Sequence, residues 1–192
     1  MITIQSVNTA RVQNRLIDGR PVPTAIGKQP VAGPVAVRPL GLDGDEQADH
    51  TVHGGLSKAV YAYPQEHLAF WQGVRAQARV AAADSPLPAG LMGENLTLSG
   101  LLEAQLWIGD RLLLPGCVLA VSEPRRPCFK FNAAMGFNQA SKLMAQSGYC
   151  GFYLAVIEPG ELRAGDTITV QPGAREVGLR ELFMARMKNR RD

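Results

Sequence analysis

Apolar and polar residues alternate through Met1-Ile2-Thr3-Ile4-Gln5-Ser6-Val7, and this pattern predicts a first strand over residues 1–12. Pro21 to Pro34 is turn-rich, and Val35-Ala36-Val37 follows as a short strand. Residues 41–58 mix glycines, acids and two histidines without apolar periodicity, the signature of a functional loop rather than a packing element. Lys58-Ala59-Val60-Tyr61-Ala62-Tyr63 reads as a strand. Pro64 suits the first position of a helix, and Leu68, Trp71 and Val74 recur at helical spacing, which predicts a helix over 64–79. Leu96-Thr97-Leu98 forms a short strand between Gly93 and Gly100, and Gly109-Asp110 marks a turn between 105–109 and 111–114. Val118 to Ser122 is a strand that runs into a Pro-Arg-Arg-Pro-Cys turn. Residues 138–147 read as a helix that turns Leu143 and Met144 inward and ends at Gly148. Strands over 151–158 and 166–171 flank a Pro159-Gly160 turn, and Leu179, Leu182, Phe183 and Met187 form one face of an amphipathic helix.

Many short strands and few helices predict a mainly β fold, a barrel or a sandwich, with an α+β domain as the alternative. Strands do not alternate regularly with helices, so a doubly wound parallel sheet is excluded. The 192 residues suit one domain over 1–174 with a short helix and basic tail over 175–192. Apolar residues make up 46% of the chain, enough for a sizeable core, and 20 glycines with 13 prolines fit a turn-rich β protein. The net charge of +3 is compatible with an anionic ligand but does not point to nucleic acid. The N-terminus lacks the pattern of a signal peptide, and no apolar run reaches membrane-spanning length. The three cysteines match neither a zinc motif nor a disulfide framework, which leads us to expect reduced thiols in a cytoplasmic protein.

Three constellations carry candidate chemistry. In Ser122-Glu123-Pro124-Arg125-Arg126-Pro127-Cys128-Phe129-Lys130, cations surround one cysteine and prolines restrict its backbone. Nearby positive charge favours the thiolate, the form that attacks electrophiles and binds soft metals. An inert core cysteine fits the same residues equally well. Cys117 alternates with Leu119 and Val121 and is read as core, and Cys150 has no neighbouring cation and is read as structural. The second constellation is the loop from Gly44 to Lys58. Asp45, His50 and His53 are conceivable metal ligands, but the spacing matches no recognised site. His53-Gly54-Gly55 with Lys58 better suits an anion held by backbone N–H groups, and a plain Gly-rich turn remains open. In the third, Glu94 and Asn95 stand at the mouth of a strand, where they would pair with a planar ring or merely cap a turn.

In order along the chain, these motifs resemble the MOSC family, named for the C-terminal domain of molybdenum cofactor sulfurase. The likeness runs through Thr24 to Val31, Gly41 to Asp49, His53-Gly54-Gly55 with Lys58, and Gly93-Glu94-Asn95-Leu96. It continues through Ile108-Gly109-Asp110, Val121 to Arg125, Pro127-Cys128-Lys130, Gly148, Gly151, Tyr153 and Gly165-Asp166. It spans roughly residues 2–171 and is nearest the stand-alone bacterial branch linked with detoxifying N-hydroxylated bases such as 6-hydroxylaminopurine. Two features depart from that branch: Met92 stands where Phe is common, and the helical C-terminal extension of longer members is not matched here.

The resemblance implies a closed or nearly closed β-barrel with a few short helices, of the pyruvate-kinase barrel type. It also implies a cleft for the molybdenum cofactor, molybdopterin. Cys128 is then the metal ligand. Lys28, Gln47, His53, Gly54, Gly55, Lys58, Asn95, Arg125 and Lys130 contact the cofactor, and Asp45 and Glu94 join Cys128 as candidate catalytic groups. The implied activity is reduction of a small N-hydroxylated compound, with electrons from a separate reductase and a monomer or homodimer as the working unit. The alternative is a non-catalytic cofactor or sulfur carrier with a persulfide on Cys128.

Overall fold

The computed structural model describes residues 1–49, 54–80 and 85–188. In chain order the elements are β1 (Ile2–Thr9), β2 (Gln13–Ile17), β3 (Arg20–Thr24), β4 (Gln29–Pro30), β5 (Val35–Arg38), β6 (Gly41–Leu42) and β7 (Val60–Pro64). Then come α1 (Leu68–Gln77), β8 (Leu96–Ser99), β9 (Arg111–Leu113), β10 (Val118–Pro124), α2 (Phe129–Met135) and α3 (Ala140–Ser147). The chain continues with β11 (Phe152–Glu158), β12 (Gly160–Leu162), β13 (Thr167–Gln171) and α4 (Leu179–Lys188).

Among the described residues, seven strands close into a barrel in the order β1, β8, β7, β11, β10, β9, β13 and back to β1, where Ile2 pairs with Ile168. Closure leaves these strands no free edge to pair with another chain. Neighbours are antiparallel except β7 and β8, which run parallel. A parallel pair needs a long crossover, and the segment containing α1 supplies it.

The strands next to the helices are buried on both faces. On β7, Val60 and Ala62 point into the barrel core, while Tyr61 and Tyr63 join a second core outside it. On β11, Phe152 and Leu154 point inward and Tyr153 outward. The outer core is completed by Trp71 of α1, Phe131 and Met135 of α2, Met144 of α3 and Phe183 of α4. Each large apolar side chain so buried contributes about 1.5–3 kcal/mol. Helix α4 belongs to the same packed body: Leu179 enters the barrel core, and Phe183 and Met187 enter the outer one.

The mainly β barrel agrees with the sequence reading, and local structure differs from it in four places. Residues 13–24 form a hairpin, where the sequence reading assigns no element to 13–20 and a turn-rich stretch from Pro21. Asp18 and Gly19 both take positive φ (51° and 75°), which is the two-residue turn that suits the twist of paired strands. Pro64 ends β7 rather than starting the helix, which begins at Leu68 after a 3-10 turn over Gln65–His67. The Pro-rich turn at Pro127 leads directly into α2. Gly160 opens a strand, β12, that pairs with β5. No helix among the described residues is long and apolar enough to cross a membrane.

Candidate functional site

At one rim of the barrel lies an open cleft of about 90 Å³. The base of the β2–β3 hairpin, the loop after β6, the start of β7, the Gly93–Asn95 turn and the end of β10 all contribute to its wall. The register of β10 against β11 slips between Val121 and Glu123, a bulge that bends the strand just before Arg125 and Cys128. The cleft brings together Lys28, Asp45, Gln47, Lys58, Asn95, Arg125, Cys128 and Lys130. His50 and His53 lie outside the described residues. Gly54, Gly55 and Glu94 are described but stand behind the wall rather than in it.

The floor is a buried polar chain. Asp45 Oδ1 takes the Lys28 ammonium as an ion pair and accepts the Ala10 N–H at 2.9 Å. Asp45 Oδ2 accepts from Asn95 Nδ2 at 2.8 Å, and Asn95 Oδ1 accepts the Tyr61 N–H at 3.0 Å. Burial lowers the pKa of Lys28, and the Asp45 carboxylate opposes that shift. Asp45 thus accepts three bonds from the protein, and these fix Lys28 and Asn95.

Gln47 organises the glycine loop from beneath. Its Nε2 donates to the carbonyls of Leu40 (3.0 Å) and Lys58 (3.2 Å), and its Oε1 accepts the Gly55 N–H at 3.0 Å. A Cβ on Gly54 would collide with Gln47 Oε1. The Gly55 N–H read from the sequence as an anion donor is thus turned onto Gln47. Lys58 lies 3.5 Å from Glu123 Oε1, and Arg186 of α4 donates to Glu123 Oε2 at 3.2 Å.

Glu94 is fully buried beneath the turn. Its Oε1 accepts from the Gly90 N–H (2.7 Å) and Thr97 Oγ1 (2.9 Å), while Oε2 has no hydrogen-bond partner at bonding geometry. Burial raises its pKa, partly offset by the Gly90 N–H. The carboxyl is poised to stay protonated longer than an exposed one.

Arg125 is the electrostatic centre of the opposite wall. Its guanidinium packs over Tyr61 (4.9 Å) and Phe131 (5.4 Å), and its Nη1 is buried without a hydrogen-bond partner. Burial works against its charge, but Tyr61, Tyr153 and Cys128 around it hold its pKa above the ordinary value. Burial in turn pushes the Tyr153 phenol up to about 12. Cys128 occupies the position before the first turn of α2 and is partly exposed. The other two thiols are buried, and burial pushes Cys117 up to about 11 and Cys150 well above its ordinary value. Lys130 reaches across to donate to the Pro23 carbonyl at 2.8 Å.

Tyr61 and Tyr153 line the cleft without having been singled out as site residues. On a strand buried on both faces, an outward tyrosine looks like one more core position. Its one sequence signal is a hydroxyl amid apolar neighbours, which demands a polar partner.

Fold and site together define a single-barrel protein with one accessible thiol, a guanidinium with one unpartnered nitrogen and lysines gathered at the rim. The MOSC domain family model matches residues 49–169, and the chain belongs to that family. It is 37% identical to the uncharacterized protein YflK of Bacillus subtilis over 85% of this chain and 70% of that one. It is 36% identical to protein YiiM of Escherichia coli over 83% of this chain and 69% of that one. A longer Gibberella moniliformis protein named reductase is 34% identical over 85% of this chain, and the match covers 28% of that protein. The crystal structure of YiiM from Geobacillus stearothermophilus superposes with a TM-score of 0.78 at 29% identity, over all of this chain and 87% of the other.

Proposed function

We propose that the protein is an oxidoreductase that binds the molybdenum cofactor in the rim cleft and reduces N-hydroxylated compounds to amines. One observation carries this reading most directly. The partly exposed thiol of Cys128 shares a cleft with Arg125, a buried guanidinium whose Nη1 has no hydrogen-bond partner. A buried donor without a partner costs about 1–3 kcal/mol, and an anionic oxygen entering the cleft would relieve that cost. The donor set suits the cofactor: a soft thiolate for molybdenum and cations for the phosphate. Among the described residues no three His, Cys, Asp or Glu side chains gather into a metal-holding group, so Cys128 would act beside ligands brought by the cofactor.

When bound, the cofactor supplies a two-electron centre. The chain's own residues hold and orient. Arg125, Lys130 and Lys58 offer positive charge along one wall, and Lys28, fixed by Asp45, offers a further ammonium along the floor. Glu94, whose pKa burial raises, lies close behind the floor. The net reaction converts N–OH to N–H and releases water, consuming two protons and two electrons. A separate reductase would deliver the electrons.

The test is purification from a host that makes the cofactor, with molybdenum and pterin analysis of wild type and Cys128→Ser. It is paired with turnover of 6-hydroxylaminopurine using dithionite-reduced methyl viologen as electron source. A mass gain of one reducible sulfur on Cys128 without turnover would instead assign a sulfur carrier.

A further inference from the structure

Cys128 is the wall between two cavities. One is the cleft described above, and the other is a groove of about 320 Å³ between α2, α3 and the end of α4. Cys128 lines both, and no other described residue does. That groove volume lies at the lower end of the range of small-molecule sites.

The groove is built rather than incidental. Ser141 Oγ donates to the Cys128 carbonyl at 2.8 Å, and the Ser141 N–H donates to Asn132 Oδ1 at 2.7 Å. These bonds lock the first turns of α2 and α3 to the backbone of Cys128. Ala145 and Met187 give the groove apolar surface, and exposed Lys142 stands at its side. Phe129, the next residue after Cys128, is 54% exposed there and is the one aromatic among the exposed large hydrophobics of the described residues. An aromatic face and a thioether together favour a flat ring. Between Pro124 and Ile157 the sequence has no Asp or Glu, so α2 and α3 offer a ring neutral donors and cations but no carboxylate.

We propose that this groove, with Phe129 as its platform, holds the aromatic ring of the substrate against Cys128, separately from the cleft that holds the cofactor. The inference rests on the proposed reductase reading and adds to it which residues select a ring-bearing substrate. Phe129 is a specificity residue, and the ligand class is a planar aromatic compound with an acceptor or anionic substituent facing Lys142.

The experiment compares benzamidoxime with acetamidoxime, which carry the same N–OH group with and without a ring. Binding to the purified full chain is measured by calorimetry and saturation-transfer NMR, and turnover is measured on the loaded enzyme. Wild type is expected to bind benzamidoxime at least tenfold more tightly than acetamidoxime. Phe129→Ala should erase that preference, raising the KM for benzamidoxime about tenfold with kcat unchanged, while Phe129→Trp keeps it. Because Phe129 is exposed, its truncation should leave thermal stability intact. Ring binding that depends on Phe129 in a protein without molybdenum or turnover would sustain the groove and remove the reductase. Equal affinities in wild type and Phe129→Ala, with turnover intact, would overturn the groove and leave the reductase standing.

Discussion

Asn95 Nδ2 donates a 2.8 Å hydrogen bond to Asp45 Oδ2, tying the mouth of β8 to a loop 50 residues earlier in the chain. The same carboxylate pairs with Lys28, so three segments distant in sequence meet at one side chain on the floor of the cleft. Removing one partner of a buried pair leaves the other desolvated and alone, at a cost of about 3–5 kcal/mol. Asp45→Ala is expected to lose that much unfolding free energy in urea titrations. In a Lys28→Met background the same substitution should cost less, because no unpaired ammonium remains. Equal costs in both backgrounds would show that the pair does not hold the floor.

Glu94 gives the protein a pH dependence of known sign. Its folded-state pKa lies above its unfolded value, so its favourable contribution is complete below the unfolded range, near 4.3. That contribution is lost as pH rises through the folded value. Glu94→Gln removes the titration while keeping an acceptor for Gly90 and Thr97. Wild type should therefore lose stability relative to Glu94→Gln as pH is raised from 4 toward 8 in parallel thermal melts. A difference that stays flat, or that grows in the opposite direction, would contradict the assignment.

Gly90 supports both sides of the floor. Its carbonyl accepts the Lys28 N–H at 2.9 Å and its N–H donates to Glu94. It holds φ at +84°, and a Cβ there would fall on the carbonyl oxygen of Lys28. Gly90→Ala combines backbone strain with a clash against backbone, and a loss of about 2–4 kcal/mol is expected in chemical denaturation. A change below 0.5 kcal/mol, the order expected of an uninvolved surface site, would mean that the turn relaxes freely.

Much of this architecture is legible in the residues themselves. The mainly β character follows from short apolar runs punctuated by Gly and Pro, and the choice of a barrel over a sandwich comes from the family resemblance. The core placement of Cys117 and the αL stop at Gly148 follow from alternation and capping. The hairpin at Asp18-Gly19 escaped because its strands are largely exposed and polar, although the turn dipeptide is a strong signal. The meeting of Lys28, Asp45, Asn95, Arg125 and Cys128 rests on the order of the motifs, since no local pattern encodes contacts across such separations. Two features were illegible for physical reasons. Burial on both faces of β7 disguises Tyr61 as core, and Tyr153 on β11 is marked by the family resemblance but by no local pattern. The orientation of Gly55 toward Gln47 depends on a side chain eight residues away.

Cys128 is the residue proposed to hold molybdenum within the rim cleft. The most direct test of that role is the molybdenum-to-protein ratio, with pterin, of wild type and Cys128→Ser purified side by side from a cofactor-producing host. The expected result is molybdenum and pterin together in wild type, with molybdenum strongly reduced in Cys128→Ser while the variant melts at the same temperature. Wild type free of molybdenum and pterin, or equal molybdenum in both proteins, would contradict it.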